Sequence, residues 1–213
     1  MSKTKMIKRI FYSFLLLTLS ACSMDQMVIR ASSPMIEGGV EALNRETDLE
    51  LAEDSIPANL NMLMGMINID PENVELHTFA SQAFYGMSYG FNEDNRPQRA
   101  SNFYLRGLDH GLKALQFSGA GELRDLPFSD FEDRVNKLDK ADVPAMFWTA
   151  SNWAKWIDMH RDNPEAIAQL ARATALMQRV LDLQDTFYYG GAHMYFGVYY
   201  GSRAPMLGGN FDK

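Results

Sequence analysis

The chain has 213 residues, with 20 Lys and Arg against 27 Asp and Glu and a single cysteine. A lone cysteine excludes an intramolecular disulfide, and a net charge of −7 excludes binding to nucleic acid or anionic headgroups by bulk electrostatics. With 46% hydrophobic and 12% aromatic residues, the chain can bury one domain-sized core and does not have the composition of a disordered polymer.

The N-terminus reads in three parts. Lys3, Lys5, Lys8 and Arg9 form a basic start, and residues 10–19 (IFYSFLLLTL) are almost wholly apolar. Small residues then lead into Cys22. That order is an export signal, and its apolar run is too short to span a bilayer as a mature helix. The tetrad Leu19-Ser20-Ala21-Cys22 resembles a bacterial lipobox, in which the cysteine thiol is diacylated and the chain is cut just before it. Ser23, where some lipoproteins carry Asp, resembles the pattern passed on to an outer membrane if the host has two membranes. The expected division is a signal peptide over 1–21, lipidated Cys22 with a flexible tether over 22–39, and an all-helical domain over 40–213. Removing residues 1–21 takes away four cations and no anion, leaving 16 basic against 27 acidic residues, a net charge of −11.

Downstream, no segment alternates strictly enough to demand a strand, and helical periods dominate. Leu60, Leu63, Met64 and Ile67 make one apolar face of a helix over 58–69. Asp70-Pro71-Glu72-Asn73 stops it and starts another over 74–89, apolar nearly all round. Arg96-Pro97 opens a third, running to about Phe117, and Gly119, Gly121 and Pro127 form a loop. A short helix over 128–138 follows, then an aromatic helix from Asp142-Val143-Pro144 to Met159. A turn at Arg161-Asp162-Asn163-Pro164 precedes an amphipathic helix over 165–183, and Gly190-Gly191 breaks the chain before a last helix over 192–200.

These helices look paired, with large and small residues in the order of a tetratricopeptide repeat. First-helix positions fall at Leu76, Phe79-Ala80 and Ala83, at Met146, Thr149-Ala150 and Trp153, and at His193, Phe196-Gly197 and Tyr200. Second-helix positions fall at Ala100, Tyr104 and Gly107. Small residues let hairpin helices approach and bulky ones fill the space towards the next hairpin. The expected fold class is all-α, a tetratricopeptide-like helical hairpin array, or α-solenoid.

Chemical motifs are sparse. Gly86-Met87-Ser88-Tyr89-Gly90 matches G-x-S-x-G, but it falls late in a helix and not on a strand-to-helix elbow, so close helix packing is the reading preferred to a hydrolase. His77, His110, His160 and His193 are far apart in sequence, with no H-E-x-x-H spacing. Gly190-Gly191 and Gly208-Gly209 lack the Lys of a phosphate loop and read as helix stops. No carboxylate pair is placed for acid–base work, so the chain reads as non-enzymatic and free of cofactor or metal. The aromatics are the richer signal. Tyr85, Tyr89, Trp148, Trp153, Tyr188 and Tyr189, with His193, are candidates to line an apolar groove, against the alternative that each is core packing. Arg106 and Arg203 are candidates to pair with a ligand carboxylate, or with the chain's own acidic excess.

Seven stretches carry a family resemblance: Asp70-Pro71-Glu72-Asn73; Tyr89-Gly90-Phe91-Asn92-Glu93-Asp94; Tyr104-Leu105-Arg106-Gly107 with His110-Gly111-Leu112; Asp142-Val143-Pro144-Ala145-Met146-Phe147-Trp148 with Trp153; Arg161-Asp162; Tyr188-Tyr189-Gly190-Gly191-Ala192-His193; and Arg203-Ala204-Pro205-Met206-Leu207-Gly208-Gly209. In this order they resemble TatT, the tetratricopeptide-like lipoproteins of tripartite ATP-independent periplasmic (TRAP) transporters. The resemblance implies an all-helical body with a central hydrophobic cleft or pore, docking to a periplasmic solute-binding protein of an organic-acid importer. It implies an envelope location, lipid-anchored and facing the periplasm, and leaves self-association into a homo-oligomer open. The chain ends at Gly209-Asn210-Phe211-Asp212-Lys213, where the family pattern would open a further helix. Truncation or a missing terminal hairpin is expected to leave the last helix's apolar face exposed. The rival reading is an envelope scaffold that binds proteins through its concave face and takes no small ligand.

Overall fold

A computed structural model describes residues 24–202 and 209–210, and no strand occurs among them. The signal segment, Cys22 and Arg203 lie outside the described residues. Among the described residues ten α-helices follow one another: α1 (24–31), α2 (Ser33–Asn44), α3 (Leu49–Ile69), α4 (Val74–Phe91), α5 (Pro97–Leu115), α6 (Phe128–Val135), α7 (Val143–Asp158), α8 (Pro164–Ile167), α9 (Leu170–Gln184) and α10 (Phe187–Gly201). The packing order runs along the chain. α3 lies on α4, α4 on α5, α5 on α7, α7 on α9 and α9 on α10, while α4 also reaches α7 and α6 closes over α9.

Residues 24–39 correct the sequence reading. They are helical and held to the body, not a free tether. One side of α1 buries Ile29 to 7% exposure in a cluster with Leu63, Ile67, Leu76 and Ala80. Arg30 donates through Nε and Nη2 to the two carboxylate oxygens of Asp70, at 2.8 and 3.0 Å. Ser33 donates to Glu75. These partners lie some forty residues downstream, which is why no local pattern announces the helices. Asp70 is almost fully buried and also accepts from Asn73 Nδ2 at 2.9 Å. The Arg30 hydrogen bond holds its carboxyl below the usual carboxylate range against the opposing pull of desolvation. The Asp70-Pro71-Glu72-Asn73 turn thus ties α1 to the α3–α4 hairpin, and Asn73 caps α4 by accepting from Leu76 N–H.

α3 starts at Leu49, nine residues before the expected 58, is capped by Asp48 and carries Pro57 inside it. An interior proline removes one backbone hydrogen bond at a cost of ~3 kcal/mol or more. The helix persists because Ala52, Ile56, Leu60, Leu63 and Ile67 are all buried and keep one face in phase on both sides of the proline. A second difference falls at 165–183, where one expected helix is two, α8 and α9, with Gln169 at the break. Its side-chain carbonyl accepts from Trp153 Nε1 at 2.9 Å. The glycine loop stands as expected: Gly119 and Gly121 have φ of +118° and +70° where α5 winds down through a wider turn.

The centre of the body is the α4–α5–α7 junction. A Cβ on Gly107 would lie 2.3 Å from Asn152 Oδ1, and one on Gly111 would lie 3.0 Å from the Thr149 backbone, so these glycines set how closely α5 approaches α7. Asn152 donates from Nδ2 to the Ser81 and Trp148 carbonyls at 3.0 and 2.8 Å, and Ser81 donates to the Gly107 carbonyl at 2.8 Å. One buried polar knot therefore fastens three helices.

Candidate functional site

Five of the predicted residues come together. Tyr89 stacks on Tyr85 (5.7 Å between ring centroids, 19° between planes), and Tyr85 tilts against Trp148 at 5.5 Å. Trp148 meets Tyr188 edge-on at 4.7 Å, and Tyr188 meets Tyr189 at 5.5 Å. The result is a continuous aromatic row across α4, α7 and α10. Its ends are open to solvent, with Tyr89 60% and Tyr189 87% exposed, while Trp148 at the middle is 3% exposed.

Backbone strain builds the α10 end. Tyr188, Tyr189 and Gly190 have φ of +45°, +60° and +73°, three consecutive left-handed residues. For a residue with a Cβ that conformation costs about 1–2 kcal/mol. Glycine relieves only the third position. Ring packing of Tyr188 against Phe147 and Trp148 opposes the strain, at centroid distances of 5.7 and 4.7 Å. Gly191 permits the approach, since a Cβ there would lie 2.6 Å from the Phe147 ring. The left-handed turn drives one tyrosine into the row and leaves the next standing in solvent.

Polar groups gather at the Tyr89 end. Tyr104 donates to Glu93 Oε2 at 2.7 Å, Lys155 donates to Glu93 Oε1 at 2.5 Å, and the same ammonium lies 5.0 Å from the Tyr89 ring centroid. Burial pushes the Tyr85, Tyr104 and Tyr188 phenols above their ordinary range, so each stays a neutral phenol at physiological pH. Glu93 sits in the family-like stretch around Tyr89, yet its role depends on Lys155 from a distant helix. Sequence reading missed both.

The remaining candidates lie elsewhere. Trp153 is 1% exposed and packs edge-on to Phe131 at 6.2 Å, inside the core. Arg106 lies over the Phe84 ring, 4.3 Å from its centroid, and not at the aromatic row. His193 is exposed on α10, 3.8 Å from the Asp185 carboxylate. His77 and His110, distant in sequence, are paired in space with their Nδ1 atoms 2.9 Å apart. His77 Nε2 lies 3.0 Å from the Pro71 carbonyl, so a neutral His77 donating there leaves His110 Nδ1–H to donate across the pair. Desolvation, then the neighbouring His77, Lys113 and Arg106, pushes His110 down to about 3, and desolvation lowers His77 as well. Among the described residues, no group of three or more His, Cys, Asp or Glu is placed to hold a metal ion. The Ser88 hydroxyl donates to the Ala100 carbonyl within the α4–α5 packing, so the G-x-S-x-G stretch presents no free nucleophile.

Beside the row, Tyr189 helps line a cleft of ≈ 240 Å³ with Phe79 of α4 and with Glu37, Val40, Glu41, Asn44 and Arg45 at the end of α2. The end of α2 therefore forms a wall next to the exposed end of the aromatic row. Comparison with curated protein sequences finds no match. The family model for the TRAP transporter T-component, TAtT, matches residues 45–213, and the chain belongs to that family.

Proposed function

We propose that the chain is a lipid-anchored, non-enzymatic accessory component of a TRAP uptake system, with its aromatic row facing an apolar or organic-acid ligand and its helical body docking a periplasmic solute-binding protein. Family membership supports the accessory role and the envelope location. The observation that carries the ligand reading is the left-handed turn at Tyr188-Tyr189-Gly190, where strain is retained and a large ring is left 87% exposed. Strain of that kind clusters at ligand clamps and active sites. The successive helix pairs α4–α5 and α7–α9 support a tetratricopeptide-like array, whose neighbouring hairpins would form the docking face. Acylation of Cys22 would hold this body at a membrane. Affinity capture of the full-length lipidated protein from envelope extract tests the partner. Recovery of a TRAP solute-binding protein is expected, and its absence from repeated captures of intact protein contradicts the docking reading.

A specific feature favours the rival scaffold. The middle of the row is closed by its own rings, and the ≈ 240 Å³ cleft falls below the ~300 Å³ at which small-molecule pockets ordinarily begin. A protein-binding surface needs no such cavity. Tyr89→Ala and Tyr189→Ala separate the two readings: loss of a small ligand with retained protein capture supports the first, and loss of protein capture alone supports the second.

A further inference from the structure

α1 and α2 have two faces of opposite character. The inner one is fixed to the body: Gln26 donates to the Ile69 carbonyl at 3.2 Å, Arg30 pairs with Asp70, Ser33 with Glu75, and Ile29 is buried. Met24, Met27, Val28, Ala31 and Met35 recur at spacings of three and four on the other, and all are exposed. Met35 is 80% exposed, Met27 69% and Met24 63%, among the most exposed large apolar side chains described. Gly38, Gly39 and Ala42 continue the same spacing, so the stripe from 24 to 42 carries no charge.

We infer that this stripe lies on the lipid surface to which Cys22 is anchored, so that α1–α2 sets the orientation of the body on the membrane. The inference rests on the lipid-anchor reading above. Its first support is chain length. Met24 follows Cys22 by two residues, which cannot separate them by more than ~7 Å. An acylated Cys22 therefore brings α1 to the interface whatever the body does. Its second support is which face is free there: Gln26 and Arg30 of α1 are turned to Ile69 and Asp70 at the end of α3, and the exposed methionines and Val28 are left facing outward. Methionine suits such a surface because its unbranched thioether chain adapts to irregular surroundings. No described helix is long and apolar enough to cross a membrane. The two-faced character of α1–α2 suits a helix lying in the interface plane. The body is acidic after signal removal, so this contact is apolar and should change little with salt.

The test uses the full lipidated chain in phosphatidylcholine–phosphatidylglycerol vesicles. Once Cys22 is acylated, the chain holds no other thiol, so Val28→Cys or Met35→Cys gives one site for a nitroxide spin label, with Glu132→Cys on α6 as control. Labels at 28 and 35 should collide several-fold more with oxygen, relative to a water-soluble nickel chelate, than the label at 132. Labels at 28 and 35 that match the control overturn the inference while leaving the anchor standing. So do labels immobilised and closed to both reagents, which indicate a protein partner or a second copy on the stripe. Mass spectrometry of the Cys22 peptide reads the anchor separately, and an unmodified cysteine overturns both.

Discussion

The α4–α5–α7 junction and the start of α10 are built from the same materials, small residues set against large rings, but to opposite ends. At the junction, Gly107 and Gly111 bring two helices together, and Asn152 donates to the Ser81 carbonyl while Ser81 donates to the Gly107 carbonyl, linking three helices. At α10, Gly191 also allows a close approach, yet the two residues before Gly190 are tyrosines held at positive φ. The first region relaxes into its packing, whereas the second keeps strain to position rings. The difference teaches that in this molecule stability resides in the hairpin junctions, while the proposed recognition site falls where the helix rule is broken.

The comparison breaks most visibly at Trp148, which belongs to both regions. Trp148→Ala removes the centre of the row and a core ring, and should cost about 3–5 kcal/mol in chemical denaturation. A loss under ~1 kcal/mol would mean that the row is not packed against the core. Gly111→Ala probes the junction alone. Its methyl would press on the Thr149 backbone, and a destabilisation of about 1–3 kcal/mol is expected with the α10 turn intact.

The His77–His110 pair next to the junction gives a pH dependence. Folded, both His77 and His110 resist protonation, while each unfolded imidazole titrates near 6.5. Below that pH the unfolded chain takes up protons that the folded one does not. Stability is therefore fullest above about 6.5 and falls as pH drops towards about 3, where His110 protonates in the fold. The slope from His110 is about 1.4 kcal/mol per pH unit, His77 adds loss in the same direction, and Asp70 adds more only at lower pH. Denaturation midpoints at pH 7, 6 and 5 check this, and His110→Gln should reduce the slope. The smallest effect sharpens the contrast from the other side. Tyr189→Asn replaces a strained, exposed ring with a residue that tolerates the left-handed region, and should stabilise by about 1 kcal/mol or less. Destabilisation would show that the Tyr189 ring contributes more to folding than its exposure implies.

Helix faces and turns were legible because their causes are local. Asn73 caps α4 from within its own turn, Pro97 sits in the first turn of α5, and Gly119 and Gly121 take the positive φ that glycine permits. Elements with distant causes were not. α1 and α2 depend on Asp70 and Glu75, and α3 passes through Pro57 because its buried stripe is cemented by α4. The aromatic row was half legible. Trp148 and Trp153, five residues apart on α7, stand about 140° around the helix from each other, so only one can join the row. Which one depends on neighbours from α4 and α10, which periodicity within α7 does not contain. Gly190-Gly191 signalled a break, but nothing local announces two left-handed tyrosines.

The central claim is that the Tyr89–Tyr85–Trp148–Tyr188–Tyr189 row faces a ligand. Native mass spectrometry of the full-length protein purified from the envelope tests it most directly. The account predicts a bound apolar or organic-acid species on the wild type, depleted in Tyr89→Ala and Tyr189→Ala proteins that remain folded. The bare polypeptide mass for wild type and variants alike, with lipid modification subtracted, would contradict it.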